Sequence, residues 1–270
     1  MVKRYEELGG KIYYRSYVKE IINKENKKEV VLEDGTKYYA KKVICNLSER
    51  YVYKNLVKET NDFAIKKENA RTLSMNGLVV YLGLNKSYQD LKLYNYRYYE
   101  FDNLNSEINI KNMKKFSHHT IEAIVPNIVN ESASPKNTTI LVLKTLYYGD
   151  VWNSVNKSNY YQIKEILANE LIEEFESTFG IDIKEYIEEI EIATPFTFER
   201  FTNNINGCIF GAMRLGYDNS IHRLLSYEEE KDPNLSFVGG SSLFGSGVDN
   251  AFYSGYYITE KLLEEERKEI

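Results

Sequence analysis

The stretch FVGGSSLFGSGVDNAFYSGYYITEKLL, residues 237–263, predicts a strand, a glycine-rich loop and a helix in that order. Units of this kind commonly hold a phosphate or a planar cofactor at the N-terminus of the helix. Nucleotide-binding units normally lie near the beginning of a chain, whereas this one lies near the end of 270 residues. The sequence therefore raises two questions: what the loop holds, and which other segments complete the site.

Neither of the two common phosphate-binding motifs is complete in this loop. A phosphate loop needs GxxxxGK followed by Ser or Thr; Gly240 and Gly245 have that spacing, but Ser246 stands where the lysine is required. The dinucleotide fingerprint GxGxxG would begin with Gly245 and Gly247, but Asn250 occupies the position of its third glycine. The loop is therefore not expected to form a nucleotide site by itself.

The same glycines would allow the backbone to approach a flat ring. Gly245 and Gly247 have no Cβ, so the main chain can contact the face of a ligand. The helix expected from Val248 would direct its unbonded N–H groups and the positive end of its dipole at that ligand. A flavin suits this arrangement, because its reduction places negative charge on the N1–C2=O edge. The alternative, a left-handed turn that only joins strand to helix, stays open at this point.

Composition and charge limit the classes of protein to be considered. Hydrophobic residues make up 43% of the chain, which is typical of a folded globular protein. The net charge of −5, from 35 basic and 40 acidic residues, argues against a nucleic-acid partner, which would need a basic surface. No run of about 18 apolar residues is present, so no membrane-spanning helix is expected and a cytoplasmic location is predicted.

The cysteines and histidines do not indicate a metal centre. Cys45 and Cys208 lie far apart and form no CxxC pair, so both are expected to be buried thiols. His118, His119 and His222 lack metal-ligand spacing with a cysteine or a carboxylate. We therefore predict no metal site.

Turn residues and alternation predict the elements of the first half. The residues before Gly9 and Gly10 read as the last turns of a helix that ends at this glycine pair. Short strands follow, with Asp34-Gly35 as a hairpin signal, at residues 12–14, 17–23, 29–32, 37–40 and 42–46. A largely antiparallel sheet is then predicted from strands at residues 73–84, 93–101, 117–125 and 138–146.

The second half combines one long helix with shorter elements. Apolar residues recur every four positions from Ile163 to Phe175, which predicts a helix over residues 160–179 that ends at Gly180. The remaining elements are a strand-like run broken by glycines at residues 205–213, a strand at 235–238 and a helix at 248–266.

The order of these elements predicts an inserted domain. The last strand and helix have no following element to pair with, so we expect them to return to the first segment. The predicted fold class is α/β with α+β character, with a mixed, largely antiparallel domain inserted into a cofactor-binding one. The predicted domains are residues 1–62, residues 63–232 and residues 233–270.

Three blocks of the sequence together resemble a known family. They are LGGKIYYRSYVKEIINKENKKEVVLEDGTKYYAKKVICN (residues 8–46), TPFTFERFTNNINGCIFG (residues 194–211) and the opening stretch (residues 237–263). They are similar to segments of the FAD-dependent phytoene desaturase and carotenoid isomerase family, with the retinol saturases, in the amine-oxidase-like flavoprotein superfamily. The resemblance extends thinly over nearly the whole chain, and the third block is its most specific part.

The resemblance implies FAD as cofactor and a lipophilic substrate. The backbone near Val18 would contact the adenine, and the ribityl chain and pyrimidine edge would lie along the loop residues Gly239, Gly240, Gly245, Gly247 and Val248. The middle domain would carry a channel for a polyene or other lipid, and peripheral contact with a membrane stays open. The implied reaction is hydride transfer at the flavin N5, or double-bond isomerisation, and no catalytic residue is assigned by motif.

The sequence also departs from this family. Phe244 stands where the family often has proline, and Gly240 where some members have an acidic residue. Family members carry a βαβ unit with GxGxxG, which this sequence lacks. We therefore expect the C-terminal portion of such an enzyme, with little activity alone: a truncated product, an expression fragment or one half of a split protein with a separate dinucleotide-binding half. The alternative is a non-catalytic module that binds an apolar ligand or a partner.

Overall fold

The computed structural model of the chain describes residues 1–59, 62–101, 103–117, 120–213, 232, 234–241 and 244–269. The chain divides into two units. One combines both ends, Met1–Thr72 and Arg214–Ile270, and the other is the middle segment, Leu73–Met213. The domain boundaries at residues 62 and 232, and the cofactor and substrate roles of the segments, stay predictions.

The first unit begins its sheet structure with an antiparallel meander. Its strands are β1 (Val18–Lys24), β2 (Lys27–Leu32) and β3 (Lys37–Ala40), in the order β1-β2-β3. The turn between β2 and β3 confirms the hairpin expected at Asp34 and Gly35. Gly35 has φ +85°, and the Asp34 carboxylate accepts a hydrogen bond from the Thr36 N–H at 2.9 Å. Glycine fits this turn because it adopts positive φ without a steric cost.

A short parallel pair joins the two ends of the chain. Strand β4 (Val43–Cys45) pairs with β10 (Leu235–Phe237), and Phe237 lies opposite Cys45. This pairing confirms that the last strand returns to the first segment. The pair contributes to a core of buried side chains: Ile21, Cys45, Val52, Tyr53, Leu56, Ala64, Leu235 and Phe237.

The helices of the first unit include the one expected before the glycine pair. They are α1 (Val2–Glu7), α2 (Glu49–Tyr51) continuing into a π-helix (Val52–Leu56), α3 (Asp62–Ala70) and α7 (Val248–Glu269). Beyond the end of α1, Gly9 has φ +89°, which confirms the glycine stop. Helix α7 follows the glycine-rich loop, as the sequence predicts.

The middle unit is built on one antiparallel sheet, which confirms that prediction. Its strands are β5 (Asn76–Leu84), β6 (Arg97–Glu100), β7 (Ile121–Ile124), β8 (Thr139–Tyr147) and β9 (Ile187–Ala193). They are ordered β6-β7-β8-β5-β9. Alternate residues of β8 are buried, as expected for a strand with one face against a core.

The long helix covers this core. Helix α5 (Tyr160–Phe179) buries Leu167, Leu171 and Phe175 and ends at Gly180, which has φ +63°. Burial of each such side chain contributes about 1.5–3 kcal/mol. The shorter helices of the middle unit are α4 (Ser106–Asn112) and α6 (Pro195–Thr202). Short 3-10 turns complete it, including Val151–Ser154 and Ile205–Gly207.

Two strand predictions are wrong. Residues 12–14 form no strand, and the next residue, Arg15, has φ +55°. Residues 205–213 instead begin with a 3-10 turn in which Asn206 and Gly207 have φ +55° and +58°. Consecutive left-handed residues turn the backbone away from the extended conformation that a strand ladder requires.

Candidate functional site

The loop between β10 and α7 contains the glycines expected to face a cofactor. Residues Gly239–Ser241 form a 3-10 turn directly after the strand. Gly239, Gly245 and Gly247 have φ of +78°, +73° and +111°, whereas Gly240 does not have positive φ. Three of the four glycines therefore hold backbone conformations that L residues rarely adopt.

The start of the loop is fixed to α7 by a buried hydrogen bond. The N–H of Gly239 donates to Ser254 Oγ at 2.9 Å, and Ser254 Oγ donates to the carbonyl of Ala251 at 2.7 Å. A Cβ on Gly239 would lie 2.1 Å from Oδ1 of Asn46, the residue that follows β4. Sequence reasoning missed both contacts, although Asn46 closes the first family-like block and Ser254 lies in the third.

Within the part of the chain that the structure describes, no group accepts a hydrogen bond from the first three backbone amides of α7. The N–H of Ala251 donates to the carbonyl of Gly247 at 2.9 Å, so the amides of Val248, Asp249 and Asn250 precede the first bond of the helix. Val248 is 74% exposed. These amides and the helix dipole attract negative charge, while the carboxylate of Asp249 opposes an anion at the same place.

The Phe244 side chain packs the loop against one side of α7. Its ring lies 4.7 Å from that of Tyr253 and 5.2 Å from that of Tyr257, both nearly perpendicular to it. Phe244 and Tyr257 also pack against the buried Ile258. Aromatic pairs of this geometry stabilise a contact beyond the area they bury. The phenylalanine at the position where the resembled family often has proline thus has a packing role.

Val18 lies in the same unit as the glycine loop. It is the first residue of β1 and pairs with Leu32, with a register shift before Glu20. Its side chain is partly buried against the core that also contains Cys45 and Phe237. The structure thus places Val18 and the strand leading into the loop around one core. The adenine contact expected of Val18, and the flavin contacts expected of Gly239, Gly240, Gly245, Gly247 and Val248, stay predictions.

Both cysteines are buried and reduced. This confirms the burial expected from the sequence. Burial raises the pKa of the Cys45 thiol to about 11, so the group is protonated at neutral pH. A protonated thiol is a weak nucleophile. The Cys45 side chain packs in the buried core with Tyr53 and Phe237.

The described ranges of the chain contain neither a metal-binding cluster nor a helix able to span a membrane. Within those ranges, no three cysteine, histidine or carboxylate side chains converge on a point where a metal ion could sit. The predictions made for His118, His119 and His222 concern positions outside the described residues. The described helices also lack the combination of length and apolar character that a transmembrane segment needs.

The middle unit contains a cavity that no sequence motif indicates. Its volume is about 210 Å³, and its lining includes Asn76, Trp152, Phe196 and Glu199. These residues come from the start of β5, the 3-10 turn Val151–Ser154 and helix α6. Sequence reasoning singled out none of these residues, because the cavity is formed only when three separate elements pack together.

The chain is similar in sequence to carotenoid desaturases and isomerases and shares its fold with an amine oxidase, which confirms the resemblance and the fold class. It is 25% identical to the 1-hydroxycarotenoid 3,4-desaturase of Flavobacterium sp. (strain P99-3), over 90% of this chain and 48% of that protein. It is 24% identical to the chloroplastic prolycopene isomerase of Daucus carota, over 94% of this chain and 40% of that protein.

Among solved structures, a putrescine oxidase redesigned in its cofactor binding superposes with a TM-score of 0.64 at 11% identity. The match covers 97% of this chain and 51% of that one. No protein-family model matches the chain. The chain thus spans between two fifths and about half of the length of these relatives.

Proposed function

We propose that the first unit supplies part of a flavin site in a FAD-dependent oxidoreductase that desaturates, saturates or isomerises a polyene or other lipophilic substrate. The observation that carries the proposal is the loop between β10 and α7. Its left-handed glycines lead into the open first turn of a 22-residue helix. The similarity to carotenoid desaturases and isomerases over nine-tenths of the chain supports the same conclusion.

The residues of the loop fit a planar group with a negatively charged edge. Among the described residues, a Cβ on Gly240 would meet no atom within 4 Å, and one on Gly247 would meet the Asn250 amide at 3.6 Å. There is therefore open space beside the backbone, next to the amides that begin α7. These amides would hold the edge of the cofactor, and Gly240 would let its ring or ribityl chain approach closely. Bound FAD would supply hydride acceptance and donation.

The rest of the cofactor needs further contacts. The loop contains neither phosphate motif, so the proposal assigns the pyrophosphate and adenosine to a dinucleotide-binding segment carrying GxGxxG, with Val18 beside the adenine. The proposal places the lipophilic substrate in the middle unit and does not involve nucleic acid. We also propose that the protein contacts a membrane surface, because a lipophilic substrate would be taken from there.

The test is FAD uptake by the chain together with a dinucleotide-binding polypeptide of this family. Gly240→Leu fills the open space beside the loop and is expected to weaken FAD uptake at least tenfold. Gly255→Leu, at a glycine of α7 that also has open space around it, is the matched control and should leave uptake within about twofold. If the wild-type pair shows no absorbance from bound flavin, the proposed function is wrong.

A second candidate function is binding of an apolar ligand by the middle unit without flavin. The cavity in that unit favours it, because Val155, Pro195 and Phe196 give part of its lining an apolar character. Binding of a lipid probe by the chain with no flavin present would support this candidate. If the lipid probe gives no signal and the pair of polypeptides takes up flavin, the second candidate function is rejected and the flavin function is supported.

A further inference from the structure

The segment of residues 103–115 in the middle unit exposes large apolar side chains. Leu104 is 100% exposed, and Ile108 and Ile110 of α4 are each 43% exposed. Helix α4 buries none of its seven residues, and Met113 is the one buried residue of the segment. Helices shorter than about 12 residues are marginal in water by themselves and normally depend on packing of an apolar face. The described residues thus leave the apolar side chains of α4 only partly covered.

Hydrogen bonds hold Leu104 in its exposed position. On the loop side, the Asn105 N–H donates to Asn103 Oδ1 at 2.8 Å. On the helix side, Asn105 caps α4, because its Oδ1 accepts from the Glu107 N–H at 2.9 Å. The side-chain amide of Asn109 also donates to the carbonyl of Asn103. The backbone on both sides of Leu104 is thus fixed to α4, so the leucine can leave water only against a surface that comes to it.

Lysines lie beside these apolar side chains. The same segment contains three lysines, Lys111, Lys114 and Lys115, and one carboxylate, whereas the whole chain has a net charge of −5. Lys111 follows Ile108 by three residues, so the two side chains are neighbours on the surface of α4. Lys111 and Lys115 are both exposed. The segment therefore combines apolar side chains with a local excess of positive charge in an acidic protein.

Exposed aromatic side chains precede the segment. Tyr99 and Phe101 are both exposed, and their nearly parallel rings stack with centroids 6.2 Å apart. Tyr98 and Glu100 instead face α5, where Glu100 accepts a hydrogen bond from Thr178 Oγ1 at 2.9 Å. Aromatic rings are enriched at the level of lipid headgroups in proteins that contact membranes.

This combination of side chains fits a bilayer with anionic headgroups. An interfacial helix places apolar side chains at the boundary of the acyl chains and lysines at the headgroups. A nucleic acid would neutralise the lysines but leave Leu104, Ile108 and Ile110 in water. A second copy of the chain, related by a twofold axis, would bring the lysines of both copies together across the contact. A lipid surface satisfies both the apolar and the basic side chains.

We propose that the segment of residues 103–115 is a membrane-contact surface. Leu104, Ile108 and Ile110 enter the interfacial layer of an anionic phospholipid bilayer, and the lysines of the segment contact its headgroups. The inference rests on the proposed function, because it locates the membrane contact through which a lipophilic substrate would be reached. Binding to vesicles requires neither flavin nor a second polypeptide, so it can be measured separately.

Sedimentation with vesicles measures this contact in the 270-residue chain without flavin. One set of vesicles contains phosphatidylcholine alone, and the other contains equal parts of phosphatidylcholine and phosphatidylglycerol. We expect at least about tenfold tighter binding to the mixed vesicles, because each lysine near an anionic surface contributes severalfold to the affinity. High salt should weaken binding to the mixed vesicles, since it screens the lysines.

The exposed leucine is tested by two pairs of variants. Leu104→Ser removes the apolar side chain and should weaken binding to mixed vesicles about tenfold. Val129→Ser is the matched control, because Val129 is 69% exposed in the same unit but lies outside the segment, and it should stay within about twofold. Brominated phosphatidylcholine should quench the added fluorescence of Leu104→Trp. It should quench Val129→Trp no more than the wild-type chain, whose Trp152 is buried.

The lysines are tested by a double variant. Lys111→Gln combined with Lys115→Gln should weaken binding to mixed vesicles about tenfold and leave binding to phosphatidylcholine alone nearly unchanged. Lys136→Gln combined with Lys157→Gln is the matched control, because both lysines are exposed in the same unit but lie outside the segment. This control should stay within about twofold of the wild type.

Three results would overturn the proposal. They are equal binding of Leu104→Ser and Val129→Ser, the absence of quenching in Leu104→Trp, and self-association of the wild-type chain that Leu104→Ser abolishes. The last result would show that the segment binds a second copy of the chain. Vesicle binding without FAD uptake by the pair of polypeptides would reject the flavin function and retain this surface. FAD uptake without vesicle binding would support the flavin function and reject this surface.

Discussion

Gly239 holds a backbone conformation that an alanine would adopt only at a cost. Its φ is +78°, and an added Cβ would lie 2.1 Å from Oδ1 of Asn46. We expect Gly239→Ala to lower the free energy of unfolding by about 1–2 kcal/mol. Gly240→Ala is the matched control, because that glycine has neither positive φ nor a near neighbour, and it should stay within about 0.5 kcal/mol of the wild type. Urea unfolding measures both.

A double variant separates the two causes of that loss. Asn46 is an exposed, flexible side chain, so it can turn away from a new methyl group. We therefore expect Asn46→Ala to recover less than half of the stability lost in Gly239→Ala. Full recovery would show that the contact, and not the left-handed backbone, makes glycine necessary there.

Glu29 makes the stability of the first unit depend on pH in the acid range. Its buried carboxylate lies 3.1 Å from Lys37 Nζ, and the hydrogen bonds from Lys37 and Tyr39 lower its pKa below the ordinary value. A lowered pKa in the folded state contributes stability above the ordinary pKa, and this stability is lost as the pH falls through the folded value. Between about pH 6 and about pH 3, Glu29→Gln should flatten part of the decline in unfolding free energy. The exposed Glu33→Gln is the control, and an equal flattening there would contradict the assignment.

At the scale of elements, Ser254 connects α7 to the loop. Its buried hydroxyl accepts from the Gly239 N–H, so Ser254→Ala leaves a buried donor unpaired and should cost about 1–3 kcal/mol. Thr259→Ala is the control on the same helix, because its exposed hydroxyl bonds only to the carbonyl of Gly255. We expect it to cost less than about 0.5 kcal/mol in thermal or urea unfolding. Equal losses in the two variants would contradict the connecting role of Ser254.

The elements that the sequence predicted are those whose pattern is local. Helix α5 and strand β8 follow from a period of four and a period of two, and each was expected within one residue of its ends. Residues 205–213 were misread because the apolar pattern does not reveal that Asn206 takes positive φ. Because Asn206 and Gly207 both have positive φ, the backbone turns there and cannot continue as an extended strand.

Contacts between distant segments were beyond the reach of local pattern. The Gly239–Ser254 hydrogen bond requires α7 to fold back across the loop, and the Asn46 contact requires β4 to lie beside β10. The cavity in turn collects Asn76, Trp152 and Phe196 from three elements. Motif resemblance could identify the glycine loop, but only tertiary packing shows which side chains hold it in place.

At the scale of the whole molecule, the two units differ in how the chain builds them. The middle unit uses one continuous segment whose ends meet: Leu73 bridges Ala212, and the Ser74 N–H donates to the carbonyl of Gly211 at 2.8 Å. The first unit needs both ends of the chain, because Leu235 and Phe237 complete the core beside β4. Units made of one segment with adjacent ends commonly fold by themselves.

We therefore expect residues 73–213, produced alone, to unfold in one cooperative transition in urea, detected by circular dichroism and by the fluorescence of Trp152. The physical reason is that the fragment retains the sheet β6-β7-β8-β5-β9 and the helix α5 that covers it. Residues 1–72 alone lose the β10 side of their core and should show no cooperative transition. A gradual loss of signal from the middle fragment would contradict this division, and so would a cooperative transition in residues 1–72. In either case, the stability of a unit would not depend on the segments that build its core.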